Sequence, residues 1–392
     1  MSESTRPLRV LYSFAHALDW PGIATTALNQ IRSLARRGVE VELYCTSVGD
    51  ADLPTSVHVT QTMVLAGRRI PHRVLGVQNA YDRHDRIVAK RLKNGPRPDV
   101  VHVWPRACLR TLTVARQLGV PAVRECPNPH TASVYRESAA AAADAGVPLP
   151  SGHSHATDTK VLQLESAEFA AATALLAPSH YAAEKYLEEG IPARKVLRHR
   201  YGCDTAAFFP DERHRSAPGP LRACFLGRGD PTKGLHIALH AWLDAGLPPG
   251  STLDVAGAVE TGYRSALAAE FADESIRELG FVTDTAALLR SCDVLVLPTW
   301  TEGSALVTYE AQASGCVPLV TTASGSWGRD GADFVDHTVG DAAGLAATLR
   351  SMAYDGERLS GMREHLIANT ASYSWDAAAA DLESAYLSAM SM

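Results

Sequence analysis

The sequence predicts an α/β protein made of two successive Rossmann-like domains, each built on a parallel sheet. Its 392 residues exceed what one hydrophobic core usually serves. Short apolar runs alternate with segments of helical period along the whole chain, which is the pattern of βα units. The segment 209–220 has three prolines, mixed charges and no period, so we interpret it as an interdomain linker.

The first half of the chain contains six apolar runs that we expect to form strands. They occupy residues 9–14, 39–45, 57–62, 100–103, 122–124 and 174–177. The clearest helix is predicted at 25–37, where apolar side chains recur at helical spacing and Gly38 supplies a C-terminal stop. An alanine-rich stretch at 138–146, followed by prolines and polar residues, indicates an insertion with a short helix.

The second half repeats the pattern with five predicted strands and three predicted helices. The strands are 221–226, 253–256, 276–279, 294–297 and 317–320, and the helices are 234–245, 286–291 and 306–314. We therefore expect an N-terminal domain at 1–208, a C-terminal domain at 221–375 and a helix at 376–392 that crosses back to the first domain. Ligands of open α/β sheets bind at the carboxyl ends of the strands, so the site should lie in the cleft between the two domains.

Composition and charge narrow the class of protein. With 46% hydrophobic and 20% charged residues the chain is of ordinary globular type, and it has no run of 18 apolar residues. A polar N-terminus without a secretory pattern leads us to expect a cytoplasmic protein. The net charge of -6 indicates no nucleic-acid partner, and seven scattered cysteines indicate buried thiols rather than disulfides or a zinc cluster.

Positive charge is concentrated in one segment, 68–97, which has nine Lys or Arg against two acids. The simpler interpretation is the solvated face of a loop and a helix. The functional alternatives are a site for an anionic acceptor and weak peripheral contact with an anionic membrane surface.

The loop 227–234 follows a predicted strand and combines glycines with two cations. Gly227 lets the backbone approach a ligand closely, and Arg228 and Lys233 could neutralise a diphosphate leaving group. The spacing is that of neither a P-loop nor a dinucleotide fingerprint. A solvated surface loop is the simpler alternative.

The segment 298–311 places two carboxylates, Glu302 and Glu310, eight residues apart across the start of a predicted helix. The N–H groups of the first turn, on Gly303, Ser304 and Ala305, would favour an anionic ligand there. Carboxylates would repel a diphosphate, but they suit the hydroxyl groups of ribose or of a sugar. A surface Glu302 and a structural ion pair of Glu310 are the alternatives.

These motifs resemble the family 4 retaining glycosyltransferases of the GT-B fold, whose hallmark is Glu-x7-Glu. Similar short motifs extend almost from end to end. They are 21–22, 176–179, 201–204 with Phe208 and Pro210, 228 with 233, 280–282, 292–298, 313–318 and 373–375. Two features depart from the family pattern. The first loop has Pro21-Gly22 in place of two glycines, and Gly303-Ser304-Ala305 replaces a Gly-Phe-Gly-like run.

The resemblance assigns roles to individual residues. It implies that Arg228 and Lys233 hold the donor diphosphate, Glu310 the ribose and Glu302 the sugar hydroxyls. The other positions that it implies are Gly22 lining the cleft, Val282 near the base, His130 as the catalytic-domain histidine, and Asp19, Arg124 and Asn128 on the acceptor side. For His130 the alternative is a loop histidine bonded to a neighbour.

The resemblance further implies transfer of a sugar from a nucleotide-diphosphate sugar, of UDP or GDP type, with retention of configuration. The acceptor would be a hydroxyl group of a glycan, a lipid-linked glycan or a small molecule. No cofactor or metal is expected, because the two cations and a helix N-terminus can stabilise the leaving diphosphate. The alternatives are a noncatalytic nucleotide-sugar-binding subunit and a sugar phosphorylase, epimerase or hydrolase on the same scaffold.

Overall fold

The computed structural model describes residues 6–19, 22–65, 68–69, 76–149, 156–210 and 219–392. Within these ranges the chain forms two parallel sheets of seven and six strands. The strands of the first sheet are β1 (Arg9–Ala17), β2 (Glu40–Ser47), β3 (His58–Gln61), β6 (Val100–Val103), β7 (Ala122–Glu125), β8 (Ala174–Ala177) and β9 (Val196–Arg198). Their order in the sheet is β3-β2-β1-β6-β7-β8-β9. A small antiparallel pair, β4 (Val64–Leu65) and β5 (Arg68–Arg69), follows β3.

The strands of the second sheet are β10 (Arg222–Leu226), β11 (Thr252–Ala256), β12 (Ile276–Gly280), β13 (Val294–Leu297), β14 (Val317–Thr321) and β15 (Val335–His337). Their order in the sheet is β12-β11-β10-β13-β14-β15. The central strands β10, β13 and β14 have few exposed residues, because helices cover both faces of such a sheet. This arrangement confirms the predicted fold class.

Helices connect the strands and cover the sheets. In the N-terminal half they are α1 (Ile23–Arg36), α2 (Val77–Asn94), α3 (Leu109–Leu118), α4 (Thr131–Asp144), α5 (Thr159–Ala171) and α6 (His180–Glu188). In the C-terminal half they are α7 (Leu235–Asp244), α8 (Thr261–Ala266), α9 (Thr285–Ser291), α10 (Leu306–Ala313), α11 (Ala342–Tyr354), α12 (Gly356–Ala368) and α13 (Trp375–Met390). The proposed linker 209–220 lies largely outside the described residues, and its bounds stay a prediction.

The last helix, α13, joins the two domains. Its first turn packs Trp375 into the C-terminal core, whereas Leu382 and Tyr386 lie in the core of the N-terminal sheet. Arg36 of α1 donates to Asp376, and the Tyr386 hydroxyl lies 2.6 Å from Nδ1 of His102 on β6. The predicted return of the C-terminal helix to the first domain is therefore confirmed.

All seven cysteines are free and buried, as predicted. Burial raises the pKa of the Cys45 thiol to about 12 and that of Cys126 to about 11. These thiols are protonated at neutral pH, so they are packing groups rather than nucleophiles.

Candidate active site in the interdomain cleft

Two loops at the carboxyl ends of neighbouring strands β10 and β13 are tied together by hydrogen bonds. The carbonyl of Thr232 accepts from the N–H of Trp300 and from Oγ1 of Thr299, each at 2.8 Å. Gly234 follows with φ +71°, and a Cβ there would lie 2.0 Å from the carbonyl oxygen of Pro298. Only glycine fits this contact, and it fixes the position of the preceding Lys233.

The contact between these loops brings Lys233 and Glu302 into an ion pair through Nζ and Oε1. Their side chains are 26% and 16% exposed, so the pair lies at the bottom of a cleft rather than on the surface. Burial lowers the pKa of Lys233 to about 8, although the nearby carboxylate of Asp230 favours the charged amine. The pair presents one group suited to a phosphate next to one suited to hydroxyl groups.

Arg228 reaches the same cleft from the first of these loops. Its Nε donates to Asp230 at 2.5 Å, while the guanidinium remains 56% exposed. Burial opposes the charge of Asp230, but hydrogen bonds from Thr232 and Arg228 lower the pKa of that carboxyl overall. Asp230 thus orients the arginine without covering it, and two cations face the cleft from one loop.

The N-terminal domain closes over the second loop at Gly303. A Cβ at this position would lie 1.9 Å from the carbonyl oxygen of Pro127, in the loop after β7. The Gly303 carbonyl also accepts from Oγ of Ser179 at 2.5 Å. Both partners belong to the N-terminal domain, so the two domains are in direct contact at Gly303.

The predicted anion-binding turn needs correction. The N–H of Ala305 donates to the carbonyl of Ser324 at 2.9 Å, and the buried hydroxyl of Ser304 bonds with Tyr309 and Gly325. Because the helix α10 begins at Leu306 rather than near Ser304, Ala305 is its cap residue and its N–H is already used. Ala305 is therefore not a free N–H donor for a ligand.

Glu310 lies one turn into α10, beyond Leu306 and Val307, which line the cleft. It is half-buried, and its carboxylate has no hydrogen-bond or ion-pair partner among the described residues. Burial raises the pKa of Glu310 to about 7. The structural ion pair considered as an alternative for Glu310 is thus not formed within these ranges.

The cleft is a cavity of about 640 Å³ between the domains. Eight of the predicted site residues line it: Gly22, Asn128, Gly227, Arg228, Lys233, Glu302, Ser304 and Ala305. Gly22 has φ +90° and caps the start of α1, so a left-handed turn brings the N-terminal loop to the cavity. Its neighbour Pro21 lies outside the described residues.

Six predicted site residues lie outside this lining: Asp19, Arg124, His130, Val282, Gly303 and Glu310. Val282 is half-buried and packs against the C-terminal core. Asp19 is exposed near Gly49. Their proposed contacts with the base and the acceptor stay predictions.

His130 is the first of two residues whose predicted roles the geometry contradicts. Its Nδ1 accepts from the N–H of Ala132 at 3.2 Å, which makes it the N-cap of α4. Its ring packs against Phe169 and Tyr186 at centroid distances of 5.6 and 5.8 Å. We therefore correct its assignment from a cleft histidine to a helix-capping residue.

Arg124 is the second residue whose predicted role the geometry contradicts. It is 2% exposed, donates from Nε to Glu168 at 2.8 Å and stacks over Phe169. A guanidinium fully engaged inside the domain cannot bind an acceptor in the cleft, so its role is structural. Asn128 is exposed in the lining, and its carbonyl accepts from the Tyr186 hydroxyl at 3.0 Å.

A buried polar network next to the cavity was not predicted. Tyr201 lines the cavity, and its hydroxyl donates to Oε1 of Glu125 at 3.1 Å. His199 and His102 also contact the Glu125 carboxylate, with Nε2 to oxygen distances of 2.9 and 3.4 Å. Burial disfavours this charge, yet the two imidazoles hold the pKa of Glu125 well below its usual range. The only sequence signal is polar residues at strand ends within apolar runs.

The basic segment 68–97 is largely engaged in local contacts. Arg86 pairs with Asp82, and Arg91 pairs with Glu42. Lys90 and Lys93 are exposed on α2, while Arg73 lies outside the described residues. In the described ranges no helix is long and apolar enough to cross a membrane. Membrane contact through this segment stays a prediction.

Comparison with known proteins matches each domain separately. Residues 20–206 match the family model for "Glycosyltransferase Family 4" and residues 220–355 that for "Glycosyl transferases group 1". A glycogen synthase of Mycobacterium tuberculosis is 34% identical over 209 residues, 48% of each chain, so this match spans about half of that relative. A D-inositol 3-phosphate glycosyltransferase of Pseudarthrobacter chlorophenolicus is 28% identical over 76% of this chain and 73% of its own.

Solved structures show the same fold at low identity. Anabaena Alr3699/HepE in complex with UDP has a TM-score of 0.66 and 16% identity, with 96% of this chain and 99% of that chain covered. Sucrose-phosphate synthase from Thermosynechococcus elongatus has a TM-score of 0.66 and 16% identity, with 97% of this chain and 98% of that chain covered.

The family assignment rests on three findings. The chain has two parallel-sheet domains and a cationic interdomain cavity, and the two family models together match most of the sequence. The chain belongs to the GT-B glycosyltransferases.

Proposed function

We propose that the protein transfers a sugar from a nucleotide-diphosphate sugar to a hydroxyl acceptor, with retention of anomeric configuration. The observation that carries this proposal is the convergence of Arg228, Lys233 and Glu302 in one interdomain cavity. Two cations suit a diphosphate, and the adjacent carboxylate suits sugar hydroxyl groups. The neighbouring HepE structures contain UDP or UDP-glucose, which favours a UDP-type donor.

The names of the relatives support a proposal for the acceptor class. One is a glycogen synthase and others are D-inositol 3-phosphate glycosyltransferases. We therefore propose a glycan or a small polyol derivative, bound where Gly22 and Asn128 line the cavity. We further propose a cytoplasmic location and weak peripheral membrane contact through the basic segment 68–97.

In the proposed mechanism the protein positions the reactants and stabilises the leaving group. Arg228 and Lys233 neutralise the diphosphate as the glycosidic bond breaks, and Glu302 holds the sugar through its hydroxyl groups. The leaving phosphate oxygen takes the acceptor proton on the same face of the sugar. The close contact of the Pro127 loop with Gly303 holds the N-terminal domain against the loop that carries Glu302.

Release of free UDP from a UDP-sugar is the direct test of this function. Release that requires an added acceptor is expected for a transferase. Release without an acceptor would indicate a hydrolase, and binding without release would indicate a noncatalytic subunit. A dependence on inorganic phosphate would indicate a phosphorylase.

The stereochemistry of the product tests retention. The carboxylate that lines the cavity, Glu302, is paired with Lys233 and is poorly suited to act as a general base. An α-linked donor should therefore give an α-glycoside, read by NMR from the anomeric couplings. A β-glycoside from the same donor would contradict the proposed mechanism and require a base on the opposite face.

The pH profile of kcat/KM for the donor should be bell-shaped. With a pKa of about 7, Glu310 ionises as pH rises through 7, and only then can its carboxylate accept from two ribose hydroxyls. With a pKa of about 8, Lys233 loses its positive charge and its hold on the diphosphate as pH rises through 8. Glu310→Gln should remove the acidic limb and keep the basic one. A profile flat across both values would contradict these roles.

We also propose that catalysis needs no divalent metal, because Arg228 and Lys233 supply positive charge at the leaving group. Activity should be unchanged in excess chelator. Loss of activity that magnesium or manganese restores would contradict this expectation, and a matched assay with calcium-loaded chelator controls for chelator inhibition.

A further inference from the structure

Helix α4 of the N-terminal domain contacts the C-terminal domain at both of its ends. The loop that precedes it meets Gly303. Near its start, Val134 lines the candidate active-site cavity, and the helix packs against the turn Pro231–Lys233, which carries one of the two site cations. Just beyond its far end, Ala145 and Val147 pack against the C-terminal core. The alanine-rich end of this helix is therefore part of an interface between the domains.

One polar contact joins the end of α4 to the helix that follows Lys233. Nε2 of His236, in the first turn of α7, lies 2.9 Å from Oδ2 of Asp144, the last residue of α4. The His236 side chain is 3% exposed, whereas that of Asp144 is 42% exposed. A buried group of the C-terminal domain therefore takes its hydrogen-bond partner from the surface of the N-terminal domain.

The position of the proton on His236 follows from its partners. Burial lowers the pKa of His236, although Asp144 favours the charged ring, so the imidazole is neutral at pH 7. A carboxylate only accepts hydrogen bonds, so Nε2 carries the proton and donates to Asp144. Nδ1 is then an acceptor, and it lies 2.6 Å from the hydroxyl of Tyr263, which donates to it.

Tyr263 fixes the orientation of this ring from within the C-terminal domain. Its hydroxyl also accepts from the N–H of His236 at 2.8 Å, so it bonds to the residue twice. Tyr263 itself is 1% exposed on α8, and its N–H donates to Oε2 of Glu260 at 2.8 Å. The imidazole is therefore held on one side by its own domain, and its Nε2–H is directed at α4.

We propose that the hydrogen bond between Asp144 and His236 is a positioning contact for sugar transfer, which holds α4 and the acceptor side of the cavity against the turn that carries Lys233. This inference rests on the proposed transferase function. Arg228 and Lys233 would bind the donor from the C-terminal domain alone, so donor binding does not need the hydrogen bond. Transfer needs it, because an acceptor held by the N-terminal domain must meet the donor in the correct geometry.

Asp144→Ala tests the contact without removing a buried group, since this side chain is partly exposed. We expect kcat for acceptor-dependent UDP release to fall about tenfold, while the Kd for UDP stays within about twofold of the wild-type value. Asp144→Asn should keep most of the turnover, because its amide oxygen can still accept from the Nε2–H of His236. Steady-state kinetics and calorimetric titration with UDP measure the two quantities.

His236→Ala and the double variant Asp144→Ala/His236→Ala complete a mutant cycle. Because both substitutions remove the same hydrogen bond, the double variant should be no slower than His236→Ala. His240→Ala is the matched control. His240 lies one turn further along α7, and its Nε2 is 3.1 Å from Glu270 of the same domain. Its removal should leave both kcat and the Kd for UDP unchanged.

Failure of this inference and failure of the proposed function give different results. A wild-type protein that releases no UDP when acceptors are added would overturn both. An active wild type whose kcat survives Asp144→Ala would overturn this inference alone. It is likewise overturned if Asp144→Asn is as slow as Asp144→Ala, or if Asp144→Ala weakens UDP binding as much as it slows transfer, because the contact would then act on the donor loop itself.

Discussion

Lys233→Ala and Arg228→Ala should each lower turnover by about 10²–10³-fold, because each removes a positioned positive charge from the leaving diphosphate. The unfolding midpoint should change little, since Arg228 is largely exposed and the loop is held by Thr232 and Gly234. Steady-state kinetics with saturating donor measure the effect. Arg194→Ala, an exposed arginine outside the cavity lining, is the matched control.

A conservative substitution of Lys233 should recover only part of the activity. Lys233→Arg keeps the charge but enlarges the group beside Glu302, so it should recover only part of the turnover. Near-normal turnover in a well-folded Lys233→Ala or Arg228→Ala variant would remove that residue from the proposed mechanism.

Gly303→Ala should lower kcat/KM by about 10²-fold, because it should displace one domain relative to the other and misalign the donor and the acceptor. The new Cβ would lie 1.9 Å from the carbonyl oxygen of Pro127, a backbone atom that cannot move without its loop. The loops that close the cavity are then forced apart, and the donor is no longer held against the acceptor. Because the clash is between domains, each domain should keep its own core and its unfolding midpoint.

Gly361→Ala is the matched control for this substitution. Gly361 lies in α12, and a Cβ there would meet nothing within 4 Å. It should therefore leave kcat/KM unchanged and stabilise the helix slightly. Wild-type activity in Gly303→Ala would show that closure at Pro127 is not needed for the reaction.

The fold was predictable because the strands of a buried parallel sheet form long apolar runs. The runs at 9–14 and 294–297 correspond to β1 and β13 with small changes in their ends. The edge strands β9 and β15 were missed, because three residues are too few to show a period. Edge strands also have only one neighbour and carry partly exposed side chains, which removes the apolar signal.

The candidate site was predictable where it depends on local sequence. Arg228, Lys233 and Glu302 follow strands directly, and parallel strands place such loops at one edge of a sheet. The roles of His130 and Arg124 were wrong because they depend on distant partners. Nothing near Arg124 in sequence reveals Glu168 on α5, and a histidine after Asn-Pro gives no indication that it caps a helix.

The path of α13 has a consequence for how the chain folds during synthesis. Residues Leu382, Ala385, Tyr386 and Ala389 complete the core of a domain whose strands all lie before residue 199. We therefore expect the first domain to leave the ribosome with this part of its core uncovered until the second domain has been translated. Domains usually fold in order as they emerge, but here the first can reach its final packing only after the second.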